Sequence, residues 1–89
     1  MKKLQTDEQI ALVAKLLQIP LEKAKEHSGL IKDIDALYFS EPVKGGQSLI
    51  VGQDGTVLYV NSSVGYTQHL QEYKNGRRTP LQEFEVFKK

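Results

Sequence analysis

Gly46-Gln-Ser-Leu-Ile-Val-Gly-Gln-Asp-Gly-Thr-Val-Leu-Tyr-Val-Asn61 is the stretch on which the fold turns. Two runs rich in β-branched and aromatic residues, Ser48–Val51 and Thr56–Val60, flank the dipeptide Asp54-Gly55. That pattern predicts a β-hairpin, because Asp-Gly suits the positive φ angles of a two-residue type I′ turn. With such a loop Val51 faces Leu58, Leu49 faces Val60, and Gln53 meets Thr56 at the turn. Leu49, Val51, Leu58 and Val60 then share an apolar face and, with Leu17 from the N-terminal region, are expected to be buried together. The opposite face carries Ser48, Ile50, Val57, Tyr59 and Asn61 and is mixed in character.

Outward from the hairpin, Ala36–Ser40 predicts a preceding strand, and Glu41–Gly46, with Pro42 and paired glycines, a loop. Three strands in a meander make a stable sheet when a helix covers one face. On the N-terminal side, Thr6-Asp7-Glu8-Gln9 has the form of a capping box, with Thr6 as N-cap and Gln9 at N3. Ile10, Val13, Ala14 and Leu17 follow at helical spacing, so a helix is expected over residues 7–18, ended by Ile19-Pro20. A second, short helix starts at Pro20, with Leu21, Ala24, Lys25 and Ser28 as its inner face and Gly29 just past its end. Leu30, Ile31 and Ile34 anchor the connection to the sheet. Beyond the hairpin, Asn61-Ser62-Ser63 are turn and cap residues. Tyr66, Leu70 and Tyr73 then lie on one face of a helix over residues 66–74, which stops at Asn75-Gly76. In the last stretch Thr79, Pro80 and Gln82 suit a short helix, while the alternation in Glu83–Val86 suits an edge strand equally well. The expectation is one α+β domain spanning residues 1–89: two N-terminal helices, a three-stranded antiparallel meander and a C-terminal helix.

At 89 residues the chain is the size of one domain. Its composition, 39% hydrophobic and 26% charged, is that of a globular protein. The absence of cysteine excludes disulfides, thiolate metal sites and thiol nucleophiles. No apolar run reaches the roughly 20 residues that span a bilayer. Met1-Lys2-Lys3 opens like a signal peptide, but Gln5–Gln9 interrupts any apolar region after it, so the expected location is cytoplasmic. The net charge is +1, and neither half of the chain is a polycation, which argues against binding through many phosphate contacts.

No residue set carries catalysis. His69 and Glu72, three apart on a helix, supply at most a pair of metal ligands, fewer than a site needs. A solvated surface histidine is the expected state of His69. Ser62 and Ser63 lack a nucleophile-elbow context, and the glycines form no phosphate loop. No catalytic residue, metal or cofactor is expected. The pair of N-terminal helices has a helix-turn-helix outline, but Glu22, Lys23, Lys25 and Glu26 cancel in charge where a DNA reader carries donors.

Lys74, Arg77 and Arg78 form the one local cluster of cations, next to Tyr66 and Tyr73. Cations beside aromatics suit nucleic-acid stacking and phosphate pairing, or an acidic protein surface. The bland alternative is a helix C-terminus stabilised by cations.

Residues 46–73 resemble the C-terminal part of bacterial toxin-immunity proteins and related small chaperones. The shared features are the strand Ser48–Val51, the Asp54-Gly55 turn, the strand Thr56–Val60, a polar link and a helix ending in Leu70-Gln-Glu-Tyr73. The link is longer here, and the N-terminal helices lie outside the pattern. The resemblance implies a non-enzymatic bacterial protein-interaction module of immunity-like kind. Its partner-binding residues are expected to be Tyr59, Tyr66, Tyr73, Lys74, Arg77 and Arg78, and its partner another protein. The alternative is a nucleic-acid-binding accessory protein using residues 74–78. Neither reading involves a membrane.

Overall fold

The computed structural model describes residues 3–32, 34–41, 46–61 and 64–84. It is an α+β fold with three α-helices and a four-stranded antiparallel sheet in the order β1-β2-β3-β4. Helix α1 spans Thr6–Leu17 and α2 Leu21–Glu26. The strands are β1 (Ser28–Ile31), β2 (Ala36–Ser40), β3 (Gln47–Val51) and β4 (Val57–Asn61). Helix α3 (Tyr66–Lys74) follows, then a single 3-10 turn over Leu81–Glu83.

The extra strand, β1, occupies the stretch read as the end of the second helix and a connection. Helix α2 stops at Glu26, and the Ser28 hydroxyl bonds back to the Ala24 carbonyl. The chain then leaves the helix and pairs Ser28–Ile31 with Phe39–Ala36. Gly29 is therefore a strand residue, not a helix terminator. Leu21, read as part of the inner face of α2, is exposed, and Ala24 is the buried residue of that helix.

The hairpin register is one residue away from the expected one. Val51 faces Val57, Ile50 faces Leu58 and Leu49 faces Tyr59. The loop is longer than two residues: Gly55 N–H donates to the Gly52 carbonyl at 3.1 Å, and Gly52 N–H to the Thr56 carbonyl at 2.9 Å. Gly55 alone among the turn residues has positive φ, at 85°. This is a type I turn closed by a left-handed glycine, the three-residue hairpin geometry. Asp54 favours it, since its carboxylate accepts from Thr56 N–H at 3.0 Å and Thr56 Oγ1 at 2.6 Å.

Because side chains alternate along a strand, a slip of one residue moves a whole strand's set to the other face. Leu58 and Val60 thus lie across the sheet from Leu49 and Val51. On one face Leu37, Phe39, Leu49, Val51 and Val57 meet Val13 and Leu16 of α1, Ala24 of α2, and Phe84, with Leu17 packed at the margin. On the other, Ile31, Ala36, Ile50 and Leu58 meet Tyr73, with Leu70 and Tyr38 beside them. Both faces are covered, which is why Leu49–Val51 and Val57–Val60 read as near-continuous apolar runs. Val60 is only half-buried.

The start of α1 also differs from its sequence signature. Gln5 is the N-cap and its N–H donates to Glu8 at 2.9 Å. That displacement by one residue frees Gln9, which is buried with its amide donating to the Val51 carbonyl at 2.9 Å. Leu4 N–H donates to the Gln53 carbonyl at 2.8 Å, so the N-terminal segment is tied to the hairpin turn.

The last segment closes the β4 side of the sheet. Thr79 N–H donates to the Val57 carbonyl at 2.8 Å, and Tyr59 N–H donates to Thr79 Oγ1 at 2.9 Å. Thr79 serves β4 and does not cap the 3-10 turn, whose N-cap is Pro80. Ser62, Ser63, residues 42–45 and residues 85–89 lie outside the described residues, so the expected serine cap, most of the loop after β2 and the strand alternative at the C-terminus fall there. The described N-cap of α3 is Gly65. Among the described residues no helix is long and apolar enough to cross a membrane.

Candidate functional site

Helix α3 and the chain leaving it form a corner against the hairpin turn, where Tyr73 and Arg78 meet, with Lys74 and Arg77 beside them in the chain. Tyr73 is buried, with its hydroxyl reaching Gly52 at the start of the turn. Arg78 folds back over it, the guanidinium carbon 3.6 Å from the Tyr73 ring centroid. Arg78 also donates to Thr56 Oγ1 at 3.0 Å and to the Tyr73 carbonyl at 2.8 Å. One arginine thus joins the hairpin turn to the end of α3 by a cation–π contact and directed hydrogen bonds.

The electrostatics follow from these contacts. The Thr56 hydroxyl and N–H hold the Asp54 carboxyl below its usual range, with Arg78 adding to the effect. Burial pushes the Tyr73 phenol up, opposed by the adjacent Arg78. Arg77 pairs with Glu72 at 2.7 Å, and the arginine side chain is 69% exposed. Glu72, read as a possible ligand beside His69, is engaged in that pair.

His69 departs furthest from its reading. It is not a solvated surface histidine; its exposure is 0%. Nε2 donates to the Leu58 carbonyl at 2.8 Å, which places the proton on that nitrogen and leaves Nδ1 an acceptor. Nδ1 is buried with no hydrogen-bond partner among the described residues. Burial lowers the His69 pKa, against the opposing Leu58 hydrogen bond and Glu72 charge. The buried imidazole, bonded to the Leu58 carbonyl, anchors α3 on the sheet. Its Tyr38 neighbour lies edge-on at 5.7 Å, and Tyr38 in turn meets Tyr66 at 4.7 Å.

The three singled-out tyrosines therefore do not form one cluster. Tyr66 is 46% exposed at the outer end of the Tyr38 stack, while Tyr73 is core. Tyr59 lies on the opposite face of the sheet, edge-on to Phe84 at 5.9 Å. Lys74 is exposed beside the corner.

Two clefts flank the segment after α3. The larger, about 420 Å³, opens between the end of α1 and this segment, lined by Leu16, Leu17, Tyr59, Thr79 and Phe84. The smaller, about 260 Å³, lies towards α3 and is lined by Leu58, Val60, Glu72, Arg77 and Arg78. Among the described residues no group of three His, Cys, Asp or Glu side chains could hold a metal ion. Sequence reasoning missed the roles of Gln9, Gly52 and Thr79, all set by contacts distant in sequence. Comparison with protein-family models, curated proteins and solved structures gave no match.

Proposed function

We propose that this protein is a non-enzymatic protein-interaction module, immunity-like in kind and acting in a bacterial cytoplasm. The observation that supports it is the commitment of the two arginines of the basic cluster to the chain itself. Arg78 is occupied by Tyr73 and Thr56, and Arg77 by Glu72. Cations held by internal partners release fewer counterions from a nucleic-acid backbone, which weakens the electrostatic drive for such binding. Tyr66, exposed at the start of α3, and Lys74, exposed at its end, are the groups of the predicted set that this reading assigns to a protein partner. An exposed aromatic held in place by a second ring suits a contact of that kind.

The test is a fluorescence-anisotropy titration with short single-stranded and duplex oligonucleotides at two salt concentrations. No binding is expected at about 0.15 M salt. Co-purification from the native host should yield a partner that is lost on Tyr66→Ala or Lys74→Glu. A micromolar oligonucleotide complex that is abolished when Lys74, Arg77 and Arg78 are all replaced by Ala would overturn the reading in favour of a nucleic-acid-binding protein.

A further inference from the structure

The two edges of the sheet are treated differently. At β4, Thr79 satisfies the outward carbonyl of Val57 and the outward N–H of Tyr59. At β1, among the described residues, nothing pairs with the outer edge. Ser40 N–H donates to the His27 carbonyl at 3.3 Å, extending the β1–β2 ladder by one pair. In an antiparallel ladder, pairs that exchange hydrogen bonds alternate with pairs that do not. Counted from His27 and Ser40, the bonded pairs are Gly29–Tyr38 and Ile31–Ala36. The N–H and carbonyl groups of Ser28 and Leu30 therefore point away from β2. Leu30 is 53% exposed, and a Cβ built on Gly29 would meet nothing within 4 Å. Within Ser28–Ile31 the edge carries no proline, no bulge and no charged side chain; its one protection is its length of four residues.

We infer that β1 pairs antiparallel with β1 of a second copy of this chain, about a two-fold axis through Gly29. That register places Ser28 opposite Leu30 of the other copy, and the reverse. The outward peptide groups of both residues then meet each other in a bonded pair on each side of the axis. The glycines face one another at the axis in a non-bonded pair, the closer of the two spacings, where a bare Cα leaves room. The flanking charges decide in favour of a second copy. Glu26 and Lys32, both exposed, stand three residues before and three after Gly29. The two-fold brings Glu26 of each copy towards Lys32 of the other, an ion pair at either end of the ladder. Such a self-complementary patch is what an isologous dimer requires. An edge this short buries little surface, so the association belongs to the weak, reversible class.

Analytical ultracentrifugation from about 10 µM to about 1 mM protein tests this, the range in which a weak interface becomes populated. A monomer–dimer equilibrium is expected within that range, tighter at low salt. Leu30→Pro removes an N–H that points outward and should give a monomer whose circular dichroism is unchanged. Should that variant fail to fold, the charges decide. Glu26→Lys and Lys32→Glu should each raise the dissociation constant about fivefold, and the double variant should restore it. A chain monomeric throughout the range overturns the inference. So does a dimer that persists in folded Leu30→Pro, or a double variant as weak as the singles.

Discussion

The hydroxyl of Tyr73 occupies the space that any side chain on Gly52 would need. A Cβ built on Gly52 would overlap that hydroxyl and come 2.8 Å from Asp54 Oδ1. The φ of Gly52 is not positive, so close approach of the helix, and not backbone conformation, explains a glycine here.

Gly52→Ala should therefore destabilise the fold by about 1–3 kcal/mol through overpacking. Tyr73→Phe withdraws the overlapping oxygen. In a double-mutant cycle by urea denaturation, the pair should be less destabilised than the sum of the singles by about 1 kcal/mol. Strict additivity would mean that the helix end does not press on the turn.

Gly55 tests the turn by a different mechanism. Its φ is 85°, and a Cβ there would meet nothing within 4 Å. Any loss on substitution is then conformational. Gly55→Val should cost about 1–3 kcal/mol, and Gly55→Asn distinctly less, because asparagine tolerates the left-handed region. Equal losses for the two variants in denaturant melts would contradict the assigned conformation.

His69 gives the fold a pH dependence whose sign is fixed by its burial. The folded state holds the imidazole below its ordinary value of 6.5, so the unfolded chain binds the extra proton more readily. Stability from this group is complete above about pH 6.5 and is lost as pH falls from there towards the folded-state value. His69→Gln keeps a donor for the Leu58 carbonyl but cannot titrate. Chemical denaturation between pH 7.5 and 5 should show a shallower decline for the variant, at the cost of some packing. A wild-type slope no steeper than the variant's would show that His69 takes up its proton without penalty.

The elements of this fold are legible in the sequence to different depths, and the reasons are particular. Tyr66–Lys74 was bounded by a polar link before it and Asn75-Gly76 after it, and the helix has those limits. The strands Gln47–Val51 and Val57–Asn61 were equally plain. Their register was not, because Asp-Gly serves both a two-residue loop and a three-residue loop ending in a left-handed glycine. Only the Thr56 contacts of Asp54 separate the two, and those exist only once the turn has formed. β1 was hidden by Ser28-Gly29, a pair that ends helices as readily as it begins an edge strand. At the candidate site, the basic residues were found by proximity in sequence, but their internal partners were not. The burial of His69 did have a local signal: it lies three residues after Tyr66 and four before Tyr73, on the face those residues define, but the polar character of its side chain pointed to solvent.

Thr79 has a consequence for how far this molecule can assemble. A sheet with two available edges can add copies end over end, and the product is a fibre with no natural length. A sheet with one spent edge can add a single neighbour, after which no donor or acceptor row remains to recruit another. By lying along β4 at Val57 and Tyr59, Thr79 takes one of the two growth fronts out of use. A copy that joins at β1 therefore leaves at either end of the joined sheet a β4 edge on which Thr79 already holds the Val57 carbonyl and the Tyr59 N–H, which favours a finite complex over a polymer.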